Sequence, residues 1–186
     1  MTQLKRITKE RKNHTRGTDR IAIRRYKKRW PDAQKSSDEE DMYDHIDFWH
    51  VRNGDKFGVD LKGNKCADQI WIEFQNVNGD KGWIHGKARW IIFEIPEAGG
   101  FACVPREDLL SWCRNNVSKE MVKDRRNAYK KLYSRDAWQA YDGKAQRDLI
   151  TFVTINDLKE VKGYTFTNYS NQFPHPVTKV MTEFES

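Results

Sequence analysis

The sequence predicts an α/β fold of the α+β type: a central mixed sheet, built on an antiparallel meander, with helices flanking it. Three observations carry this. Asp19, Ala22, Ile23, Tyr26 and Trp30 recur at helical spacing. From Ile46 the pattern changes to short β runs broken by turn signals. Pro105-Arg-Glu-Asp108 then reads as a second helix start, with proline near the first helical position and acids in the first turn.

The elements follow in order. Residues 1–17 lack periodicity and read as a flexible basic arm; Thr18 can cap the first helix and Pro31 stops it. The acidic run Ser37–Asp41 is expected in an exposed loop. Strands are expected at Ile46–Val51, Phe57–Lys62, Ile70–Gln75, Gly82–Ile84 and Ala88–Ile95. Asn53-Gly54 and Asn78-Gly79 supply turns between them. Connections this short cannot join parallel neighbours, so the runs are expected to form one antiparallel meander. In the second helix Leu109, Trp112, Cys113 and Asn116 share a face. Residues 119–147 are charged, with Arg125-Arg126 and Lys130-Lys131 interleaved with Tyr129, Tyr133, Trp138 and Tyr141. Leu149–Ile155 reads as a strand, Asn156-Asp157-Leu158 as the opening of a short helix, and the chain after Gly163 as loop. The expected division is an arm over 1–17, a core over 18–118, and a helical and strand extension over 119–186 that packs on the core.

Composition narrows the class. Seven Trp, seven Tyr and nine Phe exclude a disordered chain, which would be poor in aromatics. The net charge of +7 sits in the first 30 residues, where 12 Lys and Arg face 2 acids; the other 156 residues hold 22 bases and 25 acids. Such an arm suits a polyanion, with DNA the expected partner; a solvated basic tail is the competing reading. Three widely spaced cysteines suggest neither a disulfide framework nor a zinc knuckle. No apolar run reaches membrane-spanning length, so a cytoplasmic protein without a membrane partner is expected.

Chemistry gathers around two strands. A strand's side chains alternate, so Gly58, Asp60 and Lys62 share one face while Phe57, Val59 and Leu61 pack into the core. Gly58 is expected to leave room for a ligand. The Asn-Gly turn folds this strand against the one carrying Asp47, bringing the two carboxylates together. Paired carboxylates repel unless a cation lies between them, and oxygen-only ligation suits Mg²⁺ or Mn²⁺. A nearby lysine can orient or help deprotonate water, or stabilise charge on a phosphate. The competing reading is a surface ion pair between Asp60 and Lys62. His45 and His50, flanking Asp47 and assigned to the opposite strand face, read as structural or surface groups.

A helix, then Asp47, then twelve residues and Asp60-Leu61-Lys62 on a hairpin resembles the PD-(D/E)xK nuclease superfamily, Holliday-junction resolvases among it. The resemblance covers roughly residues 17–115, with Ile46-Asp47 in place of the Pro-Asp pair. It implies a restriction-endonuclease-like core: a helix, a three-strand meander, a second helix and a further strand. The first acid stands at the start of the second strand and the DxK element on the third. It also implies a Mg²⁺- or Mn²⁺-dependent deoxyribonuclease, endonucleolytic rather than exonucleolytic. Asp47, Asp60 and the Leu61 carbonyl would be metal ligands and Lys62 a catalytic partner. Asp19 on the first helix would be a further ligand, where the family usually has Glu; a helix-dipole acid is the alternative. Glu73 and Gln75, sharing a face of the next strand, would sit beside the same metal, or with Asp60 form an alternative register of the motif. DNA contacts would come from Arg11, Lys12, Arg16, Arg24, Arg125, Arg126 and Lys130, and a homodimer is a candidate assembly. The rival readings are a catalytically inactive DNA-binding protein of the same fold and a structural or interaction protein.

Overall fold

Every residue of the strand Trp90–Ile95 is buried, which requires cover on both of its faces. The computed structural model describes residues 20–136 and 147–169. The basic arm 1–17, Thr18, Asp19, Trp138, Tyr141 and Pro174-His-Pro176 lie outside the described residues. Helix α1 spans 20–29 and is followed by β1 (Gln34–Lys35), β2 (Phe48–Arg52), β3 (Asp55–Lys62), β4 (Ile70–Gln75), β5 (Trp90–Ile95) and β6 (Gly100–Pro105). Helix α2 (Arg106–Asn116) leads to β7 (Ser118–Val122), β8 (Lys131–Asp136), β9 (Arg147–Val153), α3 (Ile155–Leu158) and β10 (Thr165–Asn168). The fold is mixed α+β. One sheet has the order β1-β2-β3-β5-β6-β10 and the other β4-β9-β8-β7.

Alternation along the larger sheet makes two cores. Phe48, Phe57, Val59, Trp90, Ile92, Phe101 and Cys103 face α1, where Tyr26 and Trp30 meet them. The Tyr26 ring stacks on Phe48 at 4.7 Å, and Trp30 lies 5.2 Å from Phe101. The alternate residues Ile91, Phe93, Ile95, Ala102 and Val104 face a second core with Leu109 of α2, Ile70 and Ile72 of β4, and Val153 of β9. The β2–β3 hairpin is as the Asn-Gly signal predicts: Arg52 pairs with Asp55, and Asn53 and Gly54 both have positive φ.

The single meander is corrected. β3 pairs with β5 in parallel, while β4 leaves to ladder with β9 in the second sheet. The whole of residues 63–89 thus serves as the crossover that a parallel pair needs. Gly82–Ile84 is no strand: Trp83–His85 is a 3-10 turn with Trp83 and Ile84 buried. The acidic run leads into a π-helical turn at Glu40–Asp44. Strands β6, β7, β8 and β10 have no counterpart in the periodicity reading, and the segment after Gly163, read as loop, supplies β10. The space over Gly58 is filled by Ile46, whose side-chain atoms lie 3.0 Å from where a Cβ would stand. That glycine therefore seats a core residue and not a ligand.

His50 is buried, stacked on Phe57 at 5.4 Å, with its Nε2 2.5 Å from the Tyr26 hydroxyl. Burial pushes its pKa down to about 4, against a weak pull from Asp32. The unfolded chain takes up a proton below about 6.5 that the folded one refuses, so this contribution to stability is lost as pH falls from about 6.5 toward 4. We predict that the stability difference between wild type and His50→Gln shrinks by about 2 kcal/mol from pH 7 to pH 5. Urea denaturation at the two pH values measures it; a pH-independent difference contradicts the buried neutral imidazole.

Candidate active site

The ladder between β2 and β3 ends at Phe48–Val59, while β3 runs on through Asp60-Leu61-Lys62. Asp47 donates its backbone N–H to the Val59 carbonyl at 2.8 Å. Backbone groups alternate sides along a strand, so the next peptide facing this edge is that of Leu61. No β2 residue reaches it. Instead, the Leu61 N–H donates to Asp47 Oδ2 at 2.7 Å, and the carboxylate replaces the missing backbone acceptor.

Asp60 points to the opposite face from Val59 and Leu61 and is 2% exposed. Its Oδ1 lies 2.8 Å from Lys62 Nζ. Its Oδ2 is buried without a hydrogen-bond partner among the described residues. Lys62 Nζ also lies 4.9 Å from the centre of the Trp83 ring. The three residues line one cleft of about 440 Å³, together with Leu61, Lys35, Asp41 and His45 and with Arg20, Ala22 and Ile23 of α1. Lys35 reaches Asp41 at 3.0 Å and Asp47 Oδ1 at 3.5 Å.

Burial pushes the Asp60 carboxyl up to about 7; Lys62 pulls against this and the charge of Asp47 adds to it. For Lys62 burial opposes the charge, yet Asp60, then Asp47 and Glu73, hold its pKa above the ordinary lysine value. An ammonium so held cannot accept a proton near neutral pH. In this arrangement Lys62 is poised as a donor and charge stabiliser. His45 is lowered by burial and by Lys62.

Glu94 is the instructive contrast. It is as deeply buried, at 1% exposed. Its carboxylate, however, accepts from Arg25 at 2.9 Å, from the Tyr169 hydroxyl at 3.1 Å and from the Asn64 N–H at 2.9 Å. Glu94 is a satisfied clamp between α1, the residue after β10 and the loop after β3. Asp60 is not satisfied. The hard oxygens of Asp47 and Asp60, one of them buried and orphaned, have the donor chemistry that suits a divalent cation. No cluster of three or more His, Cys, Asp or Glu suited to a metal occurs among the described residues.

The other expected site residues are dispersed. Glu73 is on β4 in the second sheet, sensed electrostatically by Lys62. A register shift between Glu73 and Gln75 breaks their simple alternation, and Gln75 lines a separate cleft with Ser134 and Asp148. Arg24 is exposed on α1. Arg125 lies over the Trp71 ring, Arg126 forks onto Asp124, and Lys130 pairs with Asp157 at 2.6 Å. None of them lines the Asp47–Asp60 cleft. Asp19, Arg11, Lys12 and Arg16 lie outside the described residues. Periodicity missed Lys35 and misplaced His45, which lines the cleft with Asp47. His45 stands two residues before Asp47, so the period of two itself sets both on one face, and the assignment to the opposite face is corrected. Lys35 belongs to a two-residue strand, too short to leave a pattern.

Comparison with protein-family models, curated proteins and solved structures gives no match to this chain.

A folded-state pKa raised to about 7 has a definite sign. Between about 4 and about 7 the folded protein keeps a proton that the unfolded chain releases, so this part of the stability is lost as pH rises through that window. Asp60→Asn does not titrate. Its stability relative to wild type should therefore rise from pH 5 to pH 8, by an amount on the order of 2 kcal/mol. Thermal or urea denaturation at both pH values checks it; an unchanged or falling difference contradicts the raised carboxyl.

Proposed function

We propose that this chain is a Mg²⁺- or Mn²⁺-dependent deoxyribonuclease with a restriction-endonuclease-like core, acting endonucleolytically. The observation that carries the reading is the convergence of Asp47, Asp60 and Lys62 on one cleft, with a buried, unpartnered Asp60 oxygen. The order of elements supports it further. Asp47 stands immediately before β2 and Asp60-Leu61-Lys62 closes β3, the positions expected of the first acid and the DxK element. Helix α1 precedes an antiparallel β1-β2-β3 unit. β5 and β6 come before α2, a departure from the simplest family order.

In this reading Asp47 and Asp60 hold the cation, with the Leu61 carbonyl as a further oxygen donor. When bound, such an ion polarises a phosphodiester oxygen and lowers the pKa of attached water. Lys62, kept protonated by its acidic neighbours, donates to the scissile phosphate or to the attacking water and offsets charge that develops on oxygen. Arg20, Lys35 and Lys65 place three more cations around the cleft, suited to the flanking phosphates of a DNA backbone. Asp47 has a second task, since its hydrogen bond to Leu61 fixes the backbone between the two DxK side chains.

A specific observation favours a second reading. Lys35 on Asp47 and Lys62 on Asp60 give each carboxylate an ammonium partner, an arrangement suited to a catalytically inactive DNA-binding protein. Cleavage separates the two. We predict that the protein nicks or linearises circular plasmid DNA with Mg²⁺ or Mn²⁺ but not with EDTA. Lys62→Ala and Asp60→Asn should each lower the rate at least about 100-fold, the scale of removing a preorganised charge stabiliser, with DNA binding retained. Binding of plasmid, single-stranded and branched DNA without cleavage of any form contradicts the enzyme and leaves the binding protein.

A further inference from the structure

The second sheet carries a feature that the cleft does not use. Its register sets Trp71 of β4 opposite Phe152 of β9, and a bridge sets Phe152 beside Tyr129. Ile70, Ile72 and Val153 beside them are in the core, so by alternation Trp71 and Phe152 point to the sheet's other face. The three rings form a row, with centroids 5.2 Å apart from Trp71 to Phe152 and 5.6 Å from Phe152 to Tyr129. Trp71 and Phe152 are half-buried and Tyr129 is 43% exposed. Arg125 lies 4.4 Å over the Trp71 ring, and Lys130, paired with Asp157, lies 5.4 Å from that of Tyr129. Residues 119–131 around it hold six bases and two acids.

We infer that this row is a platform on which unpaired bases of single-stranded nucleic acid stack, with Arg125 meeting a phosphate. Bases of any identity present a π face, and stacking on neighbouring aromatic side chains beside a positive track is how strands are held without sequence readout. The positive charge favours a polyanion over an apolar peptide. A duplex, with its bases already stacked, cannot use the rings. The platform involves none of the cleft residues and stands or falls apart from the nuclease reading.

Fluorescence anisotropy in EDTA tests it, using labelled oligothymidylate, an abasic strand of equal length and a duplex. The oligothymidylate should bind more tightly than the abasic strand, and Tyr129→Ala should leave duplex binding unchanged. Tyr129→Ala should weaken it about 5-fold or more without altering the salt dependence, and Trp71→Ala should do likewise. Tyr129→Phe should bind as wild type, and Arg125→Ala should lower the salt slope by about one charge. The Tyr129 hydroxyl donates to Asp157 at 3.1 Å, a bond that Tyr129→Phe also removes, so that variant separates loss of the hydrogen bond from loss of the ring. Equal binding of the abasic strand overturns the platform, as does wild-type affinity in Tyr129→Ala. Loss of plasmid cleavage with these results intact overturns only the nuclease reading.

Discussion

The short reach of β2 along β3 is the constraint on which the candidate site depends. Had the ladder continued, the Leu61 N–H would bind a backbone carbonyl and Asp47 would be one more strand residue. The chain instead enters β2 from a left-handed turn at His45, and the Asp47 side chain closes the ladder. One hydrogen bond thereby fixes a carboxylate beside the DxK strand. Hydrophobic packing supplies the platform: Ile46 fills the space over Gly58, and Phe48, Phe57 and Val59 seat the hairpin against α1.

On that scaffold the electrostatics are deliberately incomplete in one place. Burying a carboxylate is costly unless its oxygens find donors. Glu94 and Asp60 are both buried, but Glu94 has an arginine, a phenol and an amide for partners while one oxygen of Asp60 has none among the described residues. The first is what stability requires. The second is a cost without a structural return, and such costs gather at sites whose partner is a ligand. Lys62 does not remove it, since its ammonium meets only the other Asp60 oxygen.

Much of this was legible in the sequence. The helix before Pro31, the Asn-Gly hairpin, the two faces of β3 and the start of α2 each rest on a local rule of period or turn chemistry. The partition of β4 into another sheet was not legible. Its apolar residues satisfy either pairing, and the choice depends on β9, some seventy residues later, together with the burial of β5 on both faces. Gly58 misled because a missing side chain reads the same whether a ligand or Ile46 fills the gap. Lys35 sits on a strand too short for periodicity, and charge alone could not say which bases of the chain would face the cleft. Lys130 and Arg126, prominent in sequence, are held by Asp157 and Asp124.

The central claim is that Asp47 and Asp60 share one divalent cation, which the buried Asp60 oxygen awaits. A crystal structure of the protein soaked in Mn²⁺, phased to show anomalous scattering, addresses it directly. A single strong peak is expected in the cleft, bound by both carboxylates, with Lys62 still beside it. Manganese absent from the cleft, or held by only one of the two acids, would contradict it.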